Sequence, residues 1–233
     1  KKGLKDNLIN RLKINDNKVN EIVKSVRKIA KLKDPTDITL NKWKRPNGLL
    51  IKRVTIPIGI IAVIYESRPN VTSDVSSLCF KSGNCVILRG GSEAFFSNKL
   101  IADLFRKALA NYKIDKNYVQ FIENRERKLV DLILSKMEKY IDVVIPRGGK
   151  NLVKKVQKFS SVPVIGHLEG ICHTYIDKDA NLNLAKKIVL NAKLRNTSIC
   201  GATETVLIHE QNLNSFANQI LTELIKNGCE IYS

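Results

Sequence analysis

Ile58-Gly59-Ile60-Ile61-Ala62-Val63-Ile64-Tyr65, followed by Glu66-Ser67-Arg68-Pro69-Asn70, decides the fold. The run from Ile58 to Tyr65 is apolar at successive positions, so it keeps no solvent face and reads as a strand covered on both sides. A polar stretch with proline closes it, and an amphipathic pattern follows near 73–82. The same alternation then repeats. Further apolar runs lie at Asn84 to Leu88, Val119 to Ile122, Ile141 to Ile145 and Val162 to Ile165, with amphipathic segments near 93–110, 126–138 and 149–159 between and after them. Strands buried on both faces and joined through helices form a parallel, doubly wound α/β sheet.

Outward from this block, Asp16 stands as the cap of a helix with Val19, Ile22, Val23, Val26, Ile29 and Ala30 on one face, closed by Asp34-Pro35. Pro46-Asn47-Gly48 is a turn signal between Trp43-Lys44-Arg45 and the stretch Leu49 to Val54, and the segment near 40–55 reads as a protruding hairpin. Toward the other end come a strand (His173 to Ile176), a helix (Asn181 to Leu194), a strand (Glu204 to Ile208), a helix (Leu213 to Lys226) and the start of a strand at Cys229 to Tyr232. A pattern that stops there without a capping element reads as an internal portion of a longer protein.

The 233 residues are 43% hydrophobic and 27% charged, the composition of a globular chain with a real core. No apolar run approaches the roughly 18 residues of a membrane span, and Lys1 to Asp6 lacks the apolar stretch of a secretory signal, so a cytoplasmic protein is expected. Five cysteines with no CxxC pair argue against a disulfide scaffold or zinc ribbon. Forty Lys plus Arg against 22 Asp plus Glu gives +18, which raises nucleic acid as a partner. Against it, the basic residues are dispersed, Lys far outnumbers Arg and few aromatics are present to stack on bases.

The first strand is not followed by GxGxxG, so the usual dinucleotide fingerprint is absent. Two other strand ends carry paired glycines beside a cation: Leu88-Arg89-Gly90-Gly91-Ser92-Glu93 and Ile145-Pro146-Arg147-Gly148-Gly149-Lys150. Backbone N–H groups at such a turn meet an anion readily, and two turns at one sheet edge point to a phosphate-rich ligand. A tight turn that needs glycine for steric reasons is the competing reading of each. Cys200 lies among small and polar residues in Asn196 to Thr205, between a helix and a strand. That position would expose a thiol near N–H dipoles and Lys193 or Arg195, as a nucleophile requires. A buried filler is the competing reading, and the one that fits Cys79, Cys85 and Cys229, with Cys172 intermediate.

Three strings are more specific than any glycine pair: Ile56 to Thr72 with its Glu-Ser-Arg-Pro-Asn-Val-Thr, Gly83 to Glu93, and Tyr140 to Gly149 with its Ile-Pro-Arg-Gly-Gly. With the block from Gly166 to Thr205, they resemble the gamma-glutamyl phosphate reductases, or glutamate-5-semialdehyde dehydrogenases, of the aldehyde dehydrogenase superfamily. The resemblance implies a cofactor domain over 1–168 and the N-terminal part of a catalytic domain over 169–233. It implies NADPH-dependent reduction of L-glutamyl 5-phosphate to L-glutamate 5-semialdehyde with release of phosphate, the second step of proline biosynthesis, through a cysteine thioester. The alternative is a catalytically incomplete, cofactor-binding fragment of such an enzyme.

By the same resemblance Cys200 matches the nucleophile, and Asn70 the amide of the oxyanion hole. Arg89 matches the basic residue at the adenosine ribose, in a turn with Gly90, Gly91 and Ser92, where Ser92 stands near the acidic group of NAD-preferring relatives. A cation without that carboxylate implies NADP as the cofactor. Gly148 and Gly149 match the loop under the pyrophosphate, Arg68, Arg147 and Arg195 are candidates for the substrate's anionic groups, and no metal is implied. Glu169 falls near the general base of hydrolytic relatives, a role that a phosphate-releasing reductase does not need. Implied partners are a second copy of the chain, through the hairpin, and glutamate 5-kinase as the source of the acyl phosphate, with neither nucleic acid nor membrane.

Overall fold

The structure is a computed structural model and describes residues 12–232 apart from 67, 168, 169 and 198. The chain divides into two compact units, Lys1–His167 and Leu168–Ser233. Helix α1 (Asp16–Ala30) lies in the first unit. Its cap is Asn15 and not the expected Asp16: Asn15 has extended backbone, and its side chain accepts from the Lys18 amide at 2.9 Å, which leaves Asp16 in the first turn. Strands β1 (Thr39–Lys44) and β2 (Leu50–Val54) pair antiparallel as the expected hairpin, turned by Gly48 at φ +87°. Leu40, Trp43, Leu49, Leu50 and Val54 are exposed on it.

Strands β3 (Ile60–Tyr65), β4 (Cys85–Gly90), β5 (Val119–Phe121) and β6 (Val143–Arg147) form one parallel sheet in the order β5-β4-β3-β6. Helices α2 (Pro69–Lys81), α3 (Phe95–Asn111) and α4 (Lys128–Lys136) make the crossovers, and α5 (Lys150–Phe159) follows β6. Successive residues of β3 serve opposite faces, as a strand period requires. Ile61, Val63 and Tyr65 pack with Val71 and Cys79 of α2 and with Ala102 and Leu109 of α3, whereas Ala62 and Ile64 pack with Ile133 and Leu134 of α4 and Val156 of α5. The sheet is therefore doubly wound, as the unbroken apolar run requires. The winding reverses beside β3, where Tyr65 stands opposite Gly90 on one side and Arg147 on the other. Carboxyl ends at such a reversal form the ligand crevice of open α/β sheets.

Two expected strands are reduced. Val162 to Ile165 makes a single bridge from Val164 to Val144 rather than a full strand, because Pro163 has no N–H to give the ladder. Cys229 to Tyr232 forms no ladder among the described residues. In the second unit β7 (Cys172–Ile176) and β8 (Thr203–Ile208) run parallel beside α6 (Leu182–Leu194) and α7 (Glu210–Lys226). Ile176, Ala185, Val189, Ile220 and Leu224 form its core. Helix α7 starts earlier than the expected Leu213 because the His209 ring accepts from the Gln211 amide at 3.3 Å. Among the described residues no helix is long and apolar enough to cross a membrane.

Candidate active site

Arg89, Gly90, Gly91 and Ser92 come together where β4 turns toward α3. Arg89 is only 8% exposed, and its guanidinium donates through Nη1 to the Gly90 carbonyl and through Nη2 to the Arg125 carbonyl at 3.0 Å. Its Nε is buried without a partner among the described residues. Burial lowers its pKa from the ordinary arginine value, an effect that Glu93 and Tyr65 oppose. The guanidinium expected at a ribose is thus turned onto protein carbonyls. Gly90 has a steric reason: a Cβ there would lie 2.3 Å from Asn98 Nδ2 and 3.1 Å from the Tyr65 hydroxyl. Those groups belong to a buried chain in which the Tyr65 hydroxyl meets Thr72 Oγ1 at 2.7 Å and Thr72 Oγ1 meets Asn98 Oδ1 at 3.2 Å. Burial pushes the Tyr65 hydroxyl up to about 12. Ser92 is exposed at the start of the turn that leads into α3.

The β6 end is open instead. Arg147, Gly148 and Gly149 are exposed, and Gly149 caps α5. The Gly149 amide donates to Glu66 Oε2 at 2.8 Å, and the Glu66 amide donates to the Arg147 carbonyl at 3.0 Å. A Cβ on Gly148 would approach the Glu66 carboxyl carbon to 2.6 Å, so glycine admits a carboxylate against this helix end. An anion on the N-cap amide of a helix is the arrangement that suits a pyrophosphate, and the Gly149 amide fits one. Sequence reading missed Glu66 as the occupant. Its signal was position, the residue after the central strand at the reversal of winding.

Asn70 is the second residue of α2, with Pro69 at the first. Its Nδ2 donates to Asp74 Oδ2 at 3.3 Å, and Asp74 Oδ1 accepts from Ser25 Oγ of α1 at 2.8 Å. A carboxylate one turn along fixes which end of the amide is the donor. That i, i+4 spacing was legible but went unread. Arg68, Asn70, Asp74 and Arg147 line one groove of 740 Å³ whose remaining lining is largely apolar, including Ile56, Ile58 and Leu78. Two of the three candidate substrate cations are thus brought together. The third, Arg195, is exposed at the end of α6 in the second unit.

Cys200 is exposed in the turn between α6 and β8. The turn is held by the Cys172 thiol, which donates to the Cys200 carbonyl at 3.2 Å, and by Thr174 Oγ1 against Thr203 Oγ1 at 2.8 Å. A Cβ on Gly201 would meet nothing within 4 Å, so the backbone next to Cys200 is uncrowded on that side. Cys79 has the opposite surroundings, and burial pushes its thiol up to about 11; burial also raises Cys85. His173 Nδ1 lies 2.7 Å from the Ile171 carbonyl and serves its own strand. Glu169 lies outside the described residues.

Comparison with known proteins now adds to this geometry. The chain is 49% identical over 229 residues, 98% of its length, to the gamma-glutamyl phosphate reductase of Bartonella tribocorum, and 45% identical to that of Clostridium tetani over 98% of its length. It covers 56% and 53% of those two proteins, so the chain spans about half the length of the relatives it matches. The crystal structure of the gamma-glutamyl phosphate reductase of Thermotoga maritima superposes with a TM-score of 0.90 at 42% identity, over 98% of this chain and 55% of that one. A family model described as "Aldehyde dehydrogenase family" matches residues 10–227, and the chain belongs to that family.

Proposed function

We propose that this chain supplies the cofactor-binding and thiol-bearing part of a reductase that converts L-glutamyl 5-phosphate to L-glutamate 5-semialdehyde with NADPH, releasing phosphate, in proline biosynthesis. The observation that carries the reading is the exposed Cys200 thiol in an open turn, in a chain whose relatives bear the reductase name. As thiolate, Cys200 attacks the acyl carbon, the bond to the phosphate oxygen breaks, and a thioester remains on the sulfur. Negative charge gathers on the carbonyl oxygen in this step. The Asn70 amide, whose Nδ2 also donates to Asp74, and the Cys200 backbone N–H are the donors to it, and one such donor lowers the barrier by about 3 kcal/mol.

Bound NADPH supplies the hydride that brings the thioester to the aldehyde level. Gly148, Gly149 and the α5 N-terminus would hold its pyrophosphate once Glu66, now on the Gly149 amide, gave way, and the turn from Arg89 through Gly90 and Gly91 to Ser92 would face its adenosine ribose. Arg68, Arg147 and Arg195 serve the anionic groups of the substrate. A kinase acting on the glutamate side chain, glutamate 5-kinase, makes the acyl phosphate. The setting is cytoplasmic, and the exposed apolar hairpin joins a second copy of the chain. Light scattering of the intact protein checks that last point, and a monomer would contradict it.

Cys200→Ser tests the chemistry. A hydroxyl without a dedicated base is a poor nucleophile, so turnover in the reverse direction, from semialdehyde, phosphate and NADP⁺ to NADPH absorbance, should fall by about three orders of magnitude or more while NADPH binding stays nearly intact. The wild-type assay should also depend on phosphate. Turnover without phosphate would place the protein among hydrolytic relatives, and near-normal turnover of the serine variant would remove Cys200 from the mechanism.

A further inference from the structure

We propose that Arg125, in the loop after β5, binds the ribose 2′-phosphate of NADPH and so selects it over NADH, with Arg89 acting behind it as a positioning residue. The inference rests on the cofactor reading above and changes which side chain meets the phosphate. Arg89 cannot present a free fork: it is buried, and both terminal nitrogens are taken up by the carbonyls of Gly90 and Arg125. What it fixes is the backbone of Arg125, at 3.0 Å.

Arg125 itself is exposed, and its guanidinium carbon stands 4.8 Å from the Phe95 ring centroid and 5.8 Å from that of Phe96. Both rings open α3, the helix entered from Ser92, and Phe95 also packs on Phe121 of β5 at 5.8 Å. Two adjoining elements therefore hold this cation beside the Arg89 to Ser92 turn. A guanidinium lying on aromatic faces keeps its in-plane N–H groups available, and a planar fork of that kind suits a phosphate. Exposed Ser92 adds a hydroxyl at the same turn, and Glu93 acts on Arg89. Arg127 is also exposed, but it caps α4 and has no aromatic platform among the described residues.

The test is binding, measured by calorimetry on the intact protein with NADPH, NADH, 2′,5′-ADP and 5′-AMP. Arg125→Ala should weaken NADPH and 2′,5′-ADP on the order of tenfold to a hundredfold, the loss of one charged hydrogen-bonding group, and leave NADH and 5′-AMP within about twofold. Arg125→Lys should recover only part of the loss, because a point charge lacks the fork. Arg89→Lys should weaken NADPH through a displaced loop, and the Arg125→Ala, Arg89→Lys double variant should lose little more than Arg125→Ala alone. If wild-type protein prefers NADPH and Arg125→Ala keeps that preference, this assignment falls and the cofactor reading stands. If wild-type protein shows no preference for NADPH, both fall.

Discussion

The two strands that flank β3 end in similar sequences, Arg89-Gly90-Gly91-Ser92 after β4 and Arg147-Gly148-Gly149-Lys150 after β6, and the two ends are built differently. At β4 the glycine faces inward, against Asn98 and Tyr65 in a fully buried polar chain, and the arginine is buried with it. At β6 the glycines face outward, and Gly148 is crowded by the exposed carboxylate of Glu66 and the end of the Leu152 side chain. One end is closed by packing and the other is open to an anion. Paired glycines therefore report that something approaches the backbone closely, and only the structure says whether it is core or ligand side. A ligand meets the β6 end directly, whereas at the β4 end it meets what the packed turn displays, Ser92 and the stacked Arg125.

The largest effect that would break this contrast is on stability. Gly90→Ala places a methyl 2.3 Å from an amide nitrogen that has no room to withdraw, since Asn98 and Tyr65 are both fully buried. Overpacking of this kind costs about 1–3 kcal/mol, and the Tyr65–Thr72–Asn98 hydrogen bonds are strained with it. Gly148→Ala meets Glu66 and Leu152 side-chain ends instead, which can turn aside. The alanine also narrows the unfolded ensemble, so the net change there should stay within about 1 kcal/mol. Urea unfolding of the two variants in the intact protein checks this. Equal losses would mean that the β6 end is as closely packed as the β4 end.

How far these differences were legible in sequence follows from what each feature depends on. Periodicity carried the sheet: β3 serves both faces, so its apolar run could not be mistaken for a one-sided strand, and the crossover helices came with it. The Pro-Asn-Gly turn carried the hairpin, because Gly48 needs a positive φ. Local competition blurred the boundaries, as where Asn15 took the cap from Asp16 and Pro163 left Val164 a lone bridge. The exposure of Cys200 was legible from its small, polar neighbours. The inward turn of Arg89 was not, because the carbonyl of Arg125 that receives it is 36 residues away in sequence and adjacent only after β5 pairs with β4. Glu66 on the Gly149 amide was hidden for the same reason, with 83 residues between partners that meet only through β3 and β6.

That Glu66 contact gives the smallest and most pointed test of the open end. The carboxylate accepts from the N-cap amide of α5 and lies where the helix dipole favours negative charge. Removing it in Glu66→Ala should lower stability by about 1 kcal/mol, the ordinary effect of losing a helix cap, and Glu66→Gln should lose about half of that, since its amide oxygen still accepts while the charge is gone. The same change vacates the Gly149 amide. Inorganic pyrophosphate, a probe of the anion site alone, should then bind Glu66→Ala about threefold to tenfold more tightly than wild type, because an anionic competitor has been taken away. Calorimetry with pyrophosphate reads this directly. Weaker binding in the alanine variant would mean that Glu66 holds the loop in shape for the ligand, and unchanged binding would mean that anions do not use this helix end. Either result would make the β6 turn, like the β4 turn, a matter of packing.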